Sequence, residues 1–251
     1  MLSPIALQLY SVREYMQENF DETVRKVADM GYAGVEPAGF PGTTPLAAGK
    51  LFSELGLAVP SAHLPIPVGE YKNEVLEAMA AIGSQRCISG KGPGDFDTID
   101  KIKETCAIFN MAADNARGAG LTFGLHNHWW EFLQVEGRFV YQVMLEELDP
   151  DIFFELDTYW IQTAGVDPAE VTRELGPRVP ILHIKDGPCV QKEPMTAVGD
   201  GVMDFHAIIE AGVGHTEWLI VELDRCATDM MVAVERSVKY LVGEGLGSGK
   251  S

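Results

Sequence analysis

The feature that most limits how this chain can fold is a pattern repeated along its whole length. A short apolar run rich in β-formers is followed by a polar loop and then by an amphipathic stretch. The apolar runs are IALQLY (5–10), AGVEP (33–37), LAVPSAH (57–63), RCISG (86–90), LTFGLHN (121–127), IFFELD (152–157), ILHIKD (181–186) and WLIVEL (218–223). They recur at intervals of roughly 25 to 35 residues, the spacing of βα units. Between them, FDETVRKVADMGY places Phe20, Val24, Val27 and Ala28 at helical spacing and stops at Gly31. NEVLEAMAAIG and TIDKIKETCAIFNMAADNARGAG read the same way. No linker or low-complexity block divides the 251 residues. Together these observations predict the α/β class and a single (β/α)8 TIM barrel over 1–245, with 246–251 as a flexible tail. A doubly wound open sheet would carry a glycine-rich phosphate turn after an early strand, and none is present. The terminal GEGLGSGKS only superficially resembles a phosphate loop, because Glu244 stands where the first glycine is required.

Charge and cysteine usage remove several classes of function. A net charge of −18 disfavours nucleic acid, whose phosphates demand a basic surface, and is compatible with a divalent cation. Cys87, Cys106, Cys189 and Cys226 are scattered, with no CxxC pair, and read as reduced thiols. No apolar run reaches about 18 residues, so no membrane span is expected. The amino terminus lacks the basic and apolar regions of a secretion signal, which makes the cytoplasm the expected location. Nothing in the composition speaks against a homo-oligomer.

Position carries the chemical information. Polar groups at the carboxyl ends of barrel strands are costly unless they are used, and in a barrel those ends converge on one mouth. Here the second strand ends in Glu36, the third in His63 and the fifth in His126 and His128, with Glu131 just beyond. The sixth ends in Glu155 and Asp157, the seventh in His183, Lys185 and Asp186, the eighth in Glu222 and Asp224. Mixed carboxylate and imidazole groups on rigid strands suit Mn²⁺, Mg²⁺, Co²⁺ or Zn²⁺. Taken singly, each has a plainer reading: His63 or His126 as a hydrogen-bonded structural histidine, Glu36 as a loop cap, Glu155 as a residue paired outside the barrel. Strand alternation puts Glu155 with Asp157 and His183 with Lys185 on shared faces, and turns Asp186 away from His183.

These residues resemble the xylose isomerase-like barrel superfamily. The likeness runs nearly the whole length and is carried by GYAGVEPAGF (31–40), SAHLP (61–65), LHNHWWEF (125–132), FELDTYW (154–160), HIKDG (183–187), VGDGVMDF (198–205) and IVELD (220–224). The resemblance implies a metal held by a Glu, an Asp, a His and a Glu after strands five to eight. Asp157, His183 and Glu222 match the last three. The fifth strand departs, because His126 stands where relatives carry Glu. Glu131, on the adjoining loop, is the nearest carboxylate that restores the set, and it is expected as the ligand in preference to His126. A histidine that ketose 3-epimerases carry three residues after the sixth-strand Asp is here Trp160. The HNH run is nearer to inosose dehydratase-like relatives.

The resemblance implies proton removal next to the carbonyl of a sugar or polyol, with a divalent metal as cofactor and a small molecule as partner. Glu222, His126 and Lys185 are the candidate acid/base groups. Glu36, His63, His128 and Trp160 are candidate substrate contacts. Isomerase or epimerase chemistry is expected. A dehydratase or lyase acting on a keto-sugar or inosose is the alternative, and a non-catalytic sugar- or metal-binding barrel stands behind both. A repair endonuclease is disfavoured by the acidic charge and by Trp160. The loop 191–205 supplies Gly199 and Gly201 beside Asp200, which points to a neutral sugar; alternatively, those glycines only shape the turn before a helix capped by Asp204.

Overall fold

The computed structural model describes residues 2–250. Eight parallel strands form the barrel: β1 (Ile5–Gln8), β2 (Gly34–Glu36), β3 (Ala62–His63), β4 (Arg86–Ser89), β5 (Thr122–His126), β6 (Phe153–Asp157), β7 (Ile181–Ile184) and β8 (Trp218–Val221). The principal helices follow in alternation: α1 (Phe20–Asp29), α2 (Pro45–Glu54), α3 (Tyr71–Ile82), α4 (Ile99–Gly118), α5 (Val140–Glu147), α6 (Pro168–Leu175), α7 (Phe205–Ala211) and α8 (Met230–Gly243). The ladder runs continuously from β2 through β1, β8, β7, β6, β5 and β4 to β3. Between β2 and β3 only isolated bridges join the edges, Gly34 to Ala58 and Ala38 to His63. The run expected as a strand over 57–63 forms regular strand only at its end, because Pro60 interrupts it and offers no ladder donor.

Local chemistry sets the helix starts. Asn19, Thr44, Thr98, Asp167, Asp204 and Asp229 each cap a helix by accepting a backbone N–H of its first turn. In α1 the residues picked out by helical spacing (Phe20, Val24, Val27 and Ala28) are all buried against the barrel. Short helices at Arg13–Glu18 and Thr158–Thr163, and a two-stranded ribbon of Gln134–Val135 with Arg138–Phe139, decorate the loops above the strands.

The barrel interior is divided by height. Ala6, Ile88, Phe153, Ile181 and Ile220 form a small separate apolar cluster that floors it. The next inward positions on the same strands are Gln8, Glu155, His183 and Glu222, so the lining turns from apolar to ionisable within one pleat repeat. The Phe153 ring lies across β5, where a Cβ on Gly124 would sit 2.3 Å from it. Residues 246–250, expected to be a flexible tail, lie against the foot of the barrel instead. Leu246 is buried, the Ser248 carbonyl accepts from Ile5 N (2.9 Å), and Lys250 N donates to the Gly31 carbonyl (2.8 Å). Ser251 lies outside the described residues.

Gly124→Ala should therefore lower the stability of the fold by about 1–3 kcal/mol through overpacking against Phe153. Gly118→Ala, where an added Cβ meets nothing within 4 Å, should cost nothing measurable. Urea unfolding of the two variants checks the difference.

Candidate metal centre and active site

Strands β5 to β8 bring His126, Asp157, His183 and Glu222 together, with one ligand-capable atom of each within 4.8 Å of the others and all four buried. Register places them: His126 pairs across to Glu155, and Asp157 pairs across to His183. Asn127 ties β5 to β6 at this height, its Oδ1 accepting from Asp157 N (2.9 Å) and its Nδ2 donating to the Asp157 carbonyl (3.2 Å). Asp157 Oδ1 is committed to Trp160 N (3.0 Å), where it caps the helix at Thr158. Its Oδ2 is buried and pairs with the Lys185 ammonium at 2.8 Å.

A second group, His63, His126, Glu155 and His183, shares two members with the first. His183 sits at the junction, with Nε2 2.8 Å from Glu36 Oε2 and 3.0 Å from Glu155 Oε1, and Nδ1 2.8 Å from Glu222 Oε2. Glu36 is held from below by Gln8 Nε2 (2.8 Å) and by the Ser61 hydroxyl. His63 bonds to Glu155.

Burial and charge pull these groups in opposite directions. Burial alone would strip the proton from His183, but Glu155, Glu36 and Glu222 hold its pKa well above the ordinary value. Burial likewise opposes charge on Glu155 and Glu222, yet their cationic neighbours, His183 and His63 for one and Lys185 and His183 for the other, keep both well below the carboxylate range. Glu36 rises to about 7 and Asp157 to about 6, chiefly through burial. His126 falls to about 3, again through burial, and is therefore neutral. Its Nδ1 lies 3.1 Å from Glu155 and, facing a carboxylate, carries the proton. Nε2 is left with a free lone pair 3.6 Å from Asp157 Oδ2.

His63, His126, His128 and Glu222 line a cavity of about 410 Å³ at the barrel mouth, together with Tyr10, Lys91, Trp130 and Asp224. His128 stacks on Trp130 at 4.1 Å, and burial pushes its pKa down to about 2. Three expectations are corrected. Glu131 joins neither cluster, because its carboxylate turns back to accept from His128 N (2.8 Å) among apolar neighbours that include Leu125, Phe132 and Met144. Burial raises its pKa to about 8, which suits a neutral structural acid rather than a ligand. Trp160 is buried beside Trp129 and Tyr159 and does not border the cavity. Glu36 is wholly buried beneath His183 and does not reach a ligand in the mouth.

Two structural members were missed. Gln8 and Ser61 hold Glu36, and their only signal was inward parity on the first and third apolar runs. Glu155, which taken singly reads as paired outside the barrel, stands inside it between His63, His126 and His183, the place its shared face with Asp157 signals.

The loop after β7 differs from expectation in its detail. The Gly199 and Gly201 amides are not free. Both donate to Asp186 Oδ2 (2.9 Å each), while Gly187 N and Met203 N donate to Oδ1 (2.8 and 3.2 Å). Asp186 points away from His183, as parity predicts, and fills with its own carboxylate the kind of amide nest that binds anions. Asp204 caps α7.

The residues fit a divalent cation. Carboxylate oxygens from Asp157 and Glu222, the neutral His126 nitrogen that faces Asp157, and His183 form a buried, mixed nitrogen and oxygen set. His126 would fill the fifth-strand place in such a set, with Glu155 behind it as a carboxylate stands behind a metal-bound histidine.

Comparison with known proteins adds the lineage. The family model described as xylose isomerase-like TIM barrel matches residues 24–237. A sugar phosphate isomerase/epimerase from Parabacteroides distasonis is 27% identical, covering 96% of this chain and 98% of that one, with a TM-score of 0.81. An L-ribulose 3-epimerase (18% identity, 98% and 95% coverage, TM-score 0.73) and the IOLI protein with a bound zinc atom (13%, 96% and 98%, 0.73) share the fold. No curated protein sequence matched the chain.

His126→Ala should weaken Mn²⁺ binding by more than about tenfold, whereas Glu131→Gln should leave it unchanged, as read by calorimetric titration. Because carboxylates hold His183 protonated, binding should also release about one proton, so affinity should rise as pH rises. Titrations in buffers of differing ionisation enthalpy measure that release.

Proposed function

We propose a metal-dependent proton transfer next to the carbonyl of a sugar or polyol for this chain, which belongs to the xylose isomerase-like TIM barrel family. The observation that carries the reading is the group of His126, Asp157, His183 and Glu222, set on consecutive strands, with His126 and Glu222 bordering a cavity of about 410 Å³. The Parabacteroides relative, an isomerase/epimerase by its name, supports the reaction class.

A divalent cation held by those four residues would supply Lewis-acid stabilisation of the negative charge that develops on a carbonyl oxygen when a neighbouring proton leaves. Glu222 borders the cavity and is held ionised by Lys185 and His183, which makes it the acid/base group best placed to take that proton. Lys185 lies 2.8 Å from Glu222 and is itself kept charged, so it favours anionic character beside the reacting centre. His126 is neutral and presents its Nε2 lone pair towards Asp157, so its part is ligation rather than proton transfer. His63 and His128 face the cavity, where they would bond hydroxyl groups, and Trp130 offers a flat apolar wall to a sugar ring. The self-filled amide nest of Asp186 removes one seat for a phosphate and favours a neutral substrate.

A second reading is elimination. The carboxylates that border the cavity, Glu222 and Asp224, lie two residues apart beyond β8, instead of being two glutamates that exchange a proton across the substrate. One such acid/base group suffices for loss of a β-hydroxyl or β-glycosyl group.

Incubation of the Mn²⁺-loaded protein with aldoses, ketoses, inososes and 3-keto-glycosides in D₂O separates the readings. Solvent deuterium at the carbon next to the carbonyl indicates isomerisation or epimerisation; an unsaturated product indicates elimination. Glu222→Gln should reduce exchange by about 10²–10⁴-fold. Full turnover and full metal affinity in both Asp157→Ala and Glu222→Gln would refute the site, and ligand binding without exchange would make the barrel a binding protein.

A further inference from the structure

Lys185 has an unusual seat. Its side chain is 1% exposed, with Nζ 2.8 Å from Asp157 Oδ2, 2.8 Å from Glu222 Oε2 and 2.9 Å from Asp224 Oδ2. Asp157 and Glu222 belong to the group assigned above to the cation, so an ammonium lies against two oxygens that a metal needs. The three contacts are not equivalent. The one to Asp224 is a directed hydrogen bond, whereas those to Asp157 and Glu222 are close ion pairs. The lysine is thus shared among three carboxylates, of which Asp224 alone lies outside the ligand groups. Asp224 stands at the cavity rim with 28% of its side chain exposed, and its carbonyl is fixed by Arg13 (2.9 Å), whose guanidinium stacks on Tyr10 at 4.0 Å.

We propose that Asp224 is a positioning residue that holds the Lys185 ammonium beside the divalent cation and out of the cation's seat. The inference rests on the metal reading above and goes beyond it, because Asp224 belongs to neither ligand group. A buried ammonium has lost its water and must find anionic partners. Without Asp224, those left to it are Asp157 and Glu222, and its best position is between them. The cation would then have to expel a charged group that has nowhere else to go. With Asp224 present, Lys185 stays charged at the edge of the site, facing the side of Glu222 that borders the cavity.

A double-mutant cycle on Mn²⁺ affinity, measured by calorimetric titration of the full chain, tests this. Asp224→Asn should weaken binding by at least about tenfold, the usual effect of a residue that orients a metal site from outside it. Lys185→Met should bind at least as tightly as the wild type. In the Lys185→Met background, Asp224→Asn should change affinity less than about threefold, because the competitor is gone. Lys185→Gln closes the cycle if the methionine variant fails to fold. An equal loss from Asp224→Asn with and without Lys185 would show that only the lost charge matters and would overturn the proposal. So would an unchanged affinity in Asp224→Asn alone. A wild-type protein that binds no Mn²⁺ would instead refute the metal reading itself.

Discussion

Four carboxylates, Glu36, Glu155, Asp157 and Glu222, are buried inside this barrel directly above an apolar floor. Such groups persist in a low-dielectric interior only if each is answered by a donor or a cation. Much of the local architecture is that answer. Gln8 and Ser61 serve Glu36, three histidines converge on Glu155, and Lys185 with His183 serves Glu222. One oxygen of Asp157 caps a helix, and the other faces the Lys185 ammonium. The strands must therefore keep their register to within a residue, since a slip of one would turn every charge into the surrounding apolar layer.

The layer beneath the mouth explains how a histidine can stand where relatives place a glutamate. His126 is neutral because it is buried, and it is oriented because Glu155 accepts from its Nδ1. A carboxylate, Glu155, stands beside it on the neighbouring strand. Negative charge is retained near the centre, though not in contact with it. The carboxylates that border the mouth, Glu222 and Asp224, lie two residues apart beyond β8, opposite the imidazoles of His63 and His128 contributed by other strands.

Much of this was legible in the sequence, for a definable reason. Apolar runs at regular intervals fixed eight strands, and parity along a strand fixed which polar residues look inward. Asp157, His183 and Lys185 followed from that, and so did the outward turn of Asp186. What parity cannot supply is height, or the path of a loop. Glu36 and Asp157 both point inward, but one lies a layer below the other, and only the offset between neighbouring strands separates them. Glu131 was misjudged for the second reason. It lies beyond the strand in a single turn, where the backbone carries its carboxylate back to His128 N rather than on to the centre. The terminal segment failed similarly: glycines and a serine suggest slack chain, yet these small residues are what can pass closely under Ile5 and Leu219.

The floor made by Ala6, Ile88, Phe153, Ile181 and Ile220 also has a kinetic meaning. It makes the barrel interior a cul-de-sac. Whatever enters from the mouth must leave by it, past Tyr10, Lys91 and Trp130. Traffic through that doorway is sequential, and a molecule that fills it cuts the buried imidazoles off from bulk water.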